Sequence, residues 1–168
     1  MLPTGRILCT LRSQRDPKGV MWSEAWASDD GGEITLSALR PAPVVVYFYP
    51  RDDTSGCTKE ALEFTDLIDR FEAAGAHVLG ISADTVAKHE KFRDKHGLKV
   101  TLLSDPEATT CALYDVWKEK SMYGKTFMGI ERSTFVIDGE GRIARAWRKV
   151  KVPGHAEEVL TTVEALSR

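Results

Sequence analysis

From residue 43 to 49 the chain reads PVVVYFY, an unbroken apolar, β-branched and aromatic run, and such a run predicts a strand covered on both faces. It is the best candidate for the centre of a sheet. Polar residues follow, and over residues 54–74 the positions Cys57, Ala61, Phe64, Ile68 and Phe71 mark one face of a helix, with Gly75 placed where a helix would stop. That stripe predicts an inward face, and Cys57 belongs to it. HVLGIS, residues 77–82, repeats the buried-strand pattern, and Asp84 is placed to cap a charged helix over 85–96 that Gly97 closes. VTLLSD supplies another short strand, after which Asp105 and Pro106 open a helix expected to reach about Val116. After a loop, STFVID and RIARAW flank the turn GEG and predict a hairpin over 133–138 and 142–147. A final helix over 154–167 is expected to bury Val159, Leu160, Val163 and Leu166.

Ahead of the first buried strand, DDGGEITLSAL joins a turn-forming cluster at 29–32 to a short extended piece at 33–36. Residues 1–26 have weak periodicity and form an N-terminal segment of uncertain structure; residues 27–168 read as one domain. The β-α-β alternation that starts at Pro43 calls for a right-handed crossover and a parallel strand pair. Strands alternating with helices, then a hairpin and a terminal helix, imply an α/β fold: a central mixed β-sheet flanked by helices on both faces. The simplest known architecture with that order is thioredoxin-like.

Composition narrows the possible roles. The 168 residues, 42% hydrophobic, suffice for one core and leave little for a second. A net charge of −2 without a sustained basic field points away from nucleic acid and anionic membrane as partners. No apolar run approaches the ~20 residues that cross a bilayer, so a soluble protein is expected. The opening MLPTGRILCTLRSQR carries three arginines and no acid, which suits a short bacterial start and a transit peptide alike. Cys9, Cys57 and Cys111 are odd in number and widely spaced, with no CxxC or Cys/His cluster. They argue against a disulfide scaffold or structural zinc and for a reducing, cytoplasmic setting. The four histidines lie on charged or loop segments and read as structural or solvated.

Cys57 stands at the first turn of its predicted helix, just past the end of a buried strand. Unpaired N–H groups and the helix dipole favour a thiolate there, while desolvation opposes it, so a nearby cation has to settle the contest. Against this stands the reading of Cys57 as a small buried hydrophobe, the usual fate of an unpaired cysteine.

Pro50, Thr54 and Cys57 make a P-x-x-x-T-x-x-C pattern on a strand-to-helix turn. YFYPRDDTSGCTKEA resembles the active-site loop of peroxiredoxins, in particular the branch called bacterioferritin comigratory protein or PrxQ. LLSDPEATTCALYDVW, EKSMYGKTFMGIERSTFVIDGEGRI and WRKVKVPGHAEEVL are similar to the same branch in order and spacing, so the resemblance runs from about residue 31 to the C-terminus. It implies a thiol peroxidase acting on hydrogen peroxide and organic hydroperoxides, with no metal or organic cofactor. Cys57 then matches the peroxidatic cysteine, Thr54 the hydroxyl that orients the peroxide, Pro50 the ring that shields the pocket, and Arg132 the cation beside the sulfur. Each has a plainer reading: Arg132 as a strand-edge arginine, Thr54 as an N-cap, Pro50 as a strand stop. Glu60 is open between an ion pair with a basic residue such as Arg132 and a solvated first-turn acid.

The resemblance also implies a second, resolving thiol to recycle a sulfenic acid. Many members of the branch place it five residues on, where Leu62 stands here, and others in the following helix, which holds no cysteine. Cys111 and Cys9 remain as candidates. The favoured expectation is a cycle with one reactive cysteine, reduced directly by thioredoxin, glutaredoxin or a small thiol, in a monomer or weak homodimer. The alternative is a peroxide-sensing thiol protein without sustained turnover.

Overall fold

The computed structural model describes residues 25–29 and 32–166. Cys9 and nearly all of the segment 1–26 lie outside the described residues. In chain order the elements are β1 (Ala25–Ser28), β2 (Glu33–Thr35), a 3-10 turn (Leu36–Leu39), β3 (Val44–Phe48), α1 (Ser55–Asp66), α2 (Ile68–Ala73), β4 (His77–Ser82), α3 (Val86–His96) and β5 (Thr101–Ser104). Then follow α4 (Thr109–Leu113), β6 (Trp117–Met122), β7 (Lys125–Ile130), β8 (Ser133–Ile137), β9 (Ile143–Trp147) and α5 (His155–Leu166).

β3 is the buried strand that its composition predicts: all five residues are inaccessible. It runs parallel to β4, with Val46 opposite Leu79, and antiparallel to β8, with Val46 opposite Phe135. The sheet has seven strands in the order β2-β1-β5-β4-β3-β8-β9, with β4 and β5 parallel and β1 antiparallel to β5. Alternation along β3 sorts the core into two layers. Val45, Tyr47 and Tyr49 meet α1, α2, α5 and Phe92 of α3 on one face. Val44, Val46 and Phe48 meet the 3-10 turn, α4, Val116 and Ile130 on the other. Phe64 and Phe71 are fully buried in the first layer, each contributing about 1.5–3 kcal/mol of apolar burial.

Several expectations need correction. The helix over 54–74 is broken at Leu67 (φ −101°, ψ 2°), where the chain tightens so that the Leu67 N–H donates to the Phe64 carbonyl at 3.2 Å. The buried stripe nonetheless runs straight through the break from Cys57 to Phe71. Thr85, rather than Asp84, caps α3, its Oγ1 accepting the Lys88 N–H at 3.3 Å. The helix expected to reach Val116 is the five-residue α4, entered through Ala108 in the left-handed region (φ 55°). Leu166 ends α5 on the surface, 40% exposed, instead of in the core.

The stretch expected to be a loop before Ser133 is the antiparallel ribbon β6–β7, closed at Met122 and Lys125 by a two-residue turn. Tyr123 (φ 51°) and Gly124 (φ 75°) both have positive φ, as a hairpin turn of that length demands. Most of its side chains are exposed, so burial imposes no period on its sequence. The hairpin β8–β9 is where it was expected, its turn organised by Asp138 Oδ1, which accepts the N–H groups of Glu140 and Arg142 at 2.9 and 3.0 Å.

Candidate active site

β3 and its extension end at Pro50. The Tyr49 N–H still donates to Ile81 at 3.1 Å, but the half-buried proline has no N–H with which to continue the ladder. The chain turns through Arg51–Asp53, and Thr54 takes the N-cap position of α1 with extended backbone (φ −86°, ψ 156°). The Thr54 hydroxyl makes no capping bond; it donates instead to the Arg51 carbonyl at 3.0 Å. The helical ladder opens with the Thr58 N–H on the Thr54 carbonyl at 2.9 Å. The N–H groups of Ser55, Gly56 and Cys57 therefore precede that ladder, where negative charge is stabilised.

Cys57 is buried among the apolar residues of the first layer, 1% exposed. Arg132, immediately before β8, reaches it across the sheet edge: Nη2 is 3.2 Å from Sγ, while Nη1 lies 2.7 Å from Glu60 Oε1. The arginine is itself anchored, its carbonyl accepting the Val150 N–H at 3.0 Å. Gly56 lets the guanidinium in, since a Cβ there would sit 3.2 Å from Nη2. Burial works against the charge on Arg132, but Glu60 and the Cys57 sulfur outweigh it and hold the guanidinium above its ordinary range.

Glu60 thus resolves as the ion-pair partner and is almost wholly buried. Burial pushes its carboxyl up to about 7, with Arg132 pulling the other way and Glu63 adding to the rise. Only one of its oxygens is satisfied; among the described residues Oε2 has no hydrogen-bond partner, and neither does the nearby buried Tyr47 hydroxyl. The Tyr47 ring stacks on Phe64 at 4.7 Å, and its hydroxyl occupies the space that a side chain at Gly80 would need. Burial first, then Glu60 and Cys57, hold Tyr47 well above the usual phenol range.

Of the four site residues predicted from sequence, Cys57 and Arg132 are in direct contact, and Pro50 and Thr54 frame the turn that leads to them. Lys120 went unnoticed. It projects from β6 over Gly129 and donates to the Ile130 carbonyl. Burial and Arg132 lower its ammonium from the ordinary value, while Cys57 and Glu131 act the other way, which places it in the field of the same sulfur. Its ribbon carries no burial signal; the tight Tyr-Gly turn was the available clue. Among the described residues no group of histidine, cysteine and acidic side chains could hold a metal, and no helix is long and apolar enough to cross a membrane.

The two described cysteines stand on opposite sides of the sheet: Cys57 packs in the layer of Val45, Tyr47 and Tyr49, and Cys111 in the layer of Val44, Val46 and Phe48. A disulfide needs Cα atoms within about 7 Å, and an intervening sheet sets its two covering layers about 10 Å to either side. Leu62, at the i+5 position, is partly exposed on the outer face of α1.

A buried sulfur, a guanidinium anchored by a buried carboxylate and uncommitted helix N–H groups form a place where negative charge can sit on sulfur and on an atom next to it. Residues 23–146 match the model of the AhpC/TSA family. Peroxiredoxin Bcp of Xanthomonas campestris is 49% identical over 135 residues, covering 80% of this chain and 84% of that protein. Peroxiredoxin Bcp of Bacillus subtilis is 47% identical over 139 residues, covering 83% and 88%. A solved structure of X. campestris bacterioferritin comigratory protein, studied for its alkyl peroxide reduction activity, superimposes with a TM-score of 0.82 at 45% identity over 86% of this chain and 92% of that one. Peroxidoxin BcpB of Mycobacterium tuberculosis gives 0.77 at 34% identity, covering 88% and 95%. With the thioredoxin-like sheet and two-thirds or more of each chain in register, the protein belongs to the AhpC/TSA family, in its Bcp or peroxiredoxin Q branch, and is a thiol peroxidase.

Proposed function

We propose that Cys57 is the peroxidatic cysteine of a cycle that passes through a sulfenic acid and uses no second cysteine of the described chain. The observation that carries this reading is the Arg132 bridge, 3.2 Å from Sγ on one side and 2.7 Å from Glu60 on the other. A guanidinium cannot deprotonate in the working range, so its positive charge stays beside the sulfur throughout. In the first step the Cys57 thiolate attacks one oxygen of ROOH. The S–O bond forms as the O–O bond breaks, sulfur is oxidised, and RO⁻ leaves and takes up a proton. Arg132 and the first-turn N–H groups stabilise charge that moves along the S–O–O axis.

Thr54 suits a specific part of this step. Its proton is committed to the Arg51 carbonyl, so its lone pairs are left to accept the O–H of the incoming hydroperoxide. Pro50 closes the strand beside the pocket with a ring that offers no donor. Hydrogen peroxide and organic hydroperoxides are the substrates of this reading. A thiol R′SH then attacks the sulfenic sulfur and releases water. A second thiol cleaves the mixed disulfide, returning Cys57 and R′SSR′.

Thioredoxin, glutaredoxin or a small thiol supplies those electrons in a reducing compartment such as the cytoplasm, to a monomer or weak homodimer. Support for external reduction is the placement of Cys111 behind the sheet and of Leu62 at the i+5 position. Mass spectrometry after one equivalent of peroxide tests it: the expected product is Cys57 sulfenic acid, or its adduct with an added thiol. An intramolecular disulfide to Cys111 or Cys9 would end the reading. The absence of a nearby second thiol among the described residues also suits a peroxide sensor. Sustained peroxide consumption with excess dithiothreitol excludes that, whereas a halt after about one equivalent establishes it.

A further inference from the structure

Beneath the turn that carries Thr54 lies a buried polar cluster that the chemistry above does not use. His89, on α3, is completely inaccessible. Its Nδ1 is 2.6 Å from Asp52 Oδ2 and its Nε2 is 3.0 Å from the Leu103 carbonyl. Asp52 lies midway between Pro50 and Thr54, and its carboxylate, 5% exposed, also accepts the Tyr49 hydroxyl at 2.6 Å. The Asp52 N–H donates to Asp84 Oδ2 at 2.7 Å, and that oxygen also accepts the Ser82 hydroxyl at 2.8 Å. A carbonyl can only accept, and an ionised carboxylate can only accept. Nε2 therefore donates to the Leu103 carbonyl, and one proton lies between Nδ1 and the Asp52 carboxyl.

We propose that His89 is a positioning residue for peroxide reduction, acting through Asp52 to set the turn that presents Thr54 and the start of α1. The groups facing it are Asp52 from the turn, Tyr49 from the end of β3 and the Leu103 carbonyl from β5, with Asp84 and Ser82 one bond further out. The turn needs holding. Asp53 has φ 59°, a conformation that side chains other than glycine adopt at a cost. Outside, Lys95 Nζ and His96 Nε2 grip Asp53 at 2.7 and 2.8 Å. Inside, His89 grips Asp52. α3 thus holds the peroxide-binding turn by two adjacent aspartates, and only the inner grip is shielded from solvent. Removing His89 leaves the buried Asp52 carboxylate with one donor fewer. The turn then relaxes, Thr54 loses its register with the Cys57 sulfur, and attack on peroxide slows.

This inference rests on the reading of Cys57 as the attacking sulfur, and Cys57→Ser separates the two: retained peroxide reduction in that variant would remove the reading itself. The test of the inference compares two reactions of the same sulfur in His89→Gln and Asp52→Asn. Peroxide reduction depends on the turn; alkylation by iodoacetamide reports only whether a reactive thiolate can be reached. The peroxide rate constant is expected to fall about 100-fold, the scale of a 1 Å misplacement, while alkylation stays the same or becomes faster. The double variant His89→Gln/Asp52→Asn, in which two neutral amides face each other, is expected to recover about tenfold. An unchanged peroxide rate, or a parallel fall in both reactions, would overturn the proposal. Nitrogen-15 spectra of wild-type histidine rings supply an arm that does not depend on any variant folding. The Nδ1 signal of His89 is expected to be that of a ring nitrogen hydrogen-bonded to a carboxylate. An Nδ1 signal without that hydrogen bond would overturn it equally.

Discussion

Cys57 and Cys111 are buried to the same degree and lie in equally apolar layers, one on each face of β3, yet their polar surroundings are opposite. Cys57 has a guanidinium 3.2 Å from its sulfur. The backbone of Cys111 instead meets a carboxylate: its N–H donates to Asp105 Oδ2 at 2.8 Å. A cation faces the first sulfur and a carboxylate faces the backbone of the second cysteine. On the proposed function, that difference in fixed charge, more than burial or helix position, separates a reacting sulfur from a core one.

Substitutions can break that contrast. The largest effect is expected from Cys57→Ser, which should abolish thiol-dependent peroxide reduction, while Cys111→Ser keeps the rate within about twofold because Cys111 lies in the layer behind the sheet; coupled assays of the two proteins at equal concentration decide it. Next comes Arg132→Ala. Removal of a charged donor aimed at the reacting atoms costs roughly 100- to 1000-fold, and stopped-flow rates with hydrogen peroxide should show it.

Glu60→Gln sharpens the comparison through stability. In the fold the Glu60 carboxyl is raised from 4.5 to about 7, so the folded chain binds this proton more tightly than the unfolded chain. The stabilisation is fully present below the unfolded value and is lost as pH rises through about 7, on the order of 3 kcal/mol across that window. His155 slopes the other way: burial lowers it to about 4, so it costs stability as pH falls below its ordinary value. Urea unfolding of wild type and Glu60→Gln from pH 4.5 to 8 isolates the Glu60 part, since His155 is common to both. A difference between the two proteins that does not change with pH would contradict it. The smallest effect belongs to Gly56→Ala. The added Cβ meets Arg132 Nη2 at 3.2 Å, so the guanidinium must give by a few tenths of an ångström. Alanine improves the helix by up to about 1 kcal/mol, so melting temperature should hold or rise while the peroxide rate drops a few fold.

What the sequence made legible was what burial writes into it. The β3 run, the Cys57-to-Phe71 stripe and the β8–β9 hairpin each carry a period or a turn that local chemistry explains. The β6–β7 ribbon carries none, because its faces are largely solvated and its pairing is its own. Asp84 has the right residue type for a helix cap, but the turn below Thr54 claims its carboxylate, and that competition is visible only once residues 32 apart in sequence have met. At the site, Cys57, Thr54 and Pro50 form a local pattern, whereas Arg132 was reached through a resemblance and not through spacing. The inner partners, Tyr47 and His89, looked like an ordinary strand residue and an ordinary helix residue. Their importance comes from contacts across the sheet and the turn.

The near-complete enclosure of the Cys57 sulfur sets a tempo for whatever refills it with electrons. On the proposed function, a small peroxide reaches that sulfur more readily than a protein or peptide thiol, which would have to wait for the first coil of α1 to swing aside. Under saturating donor, different reductants should then converge on one ceiling, the frequency of that opening, and their chemical vigour would matter only below it.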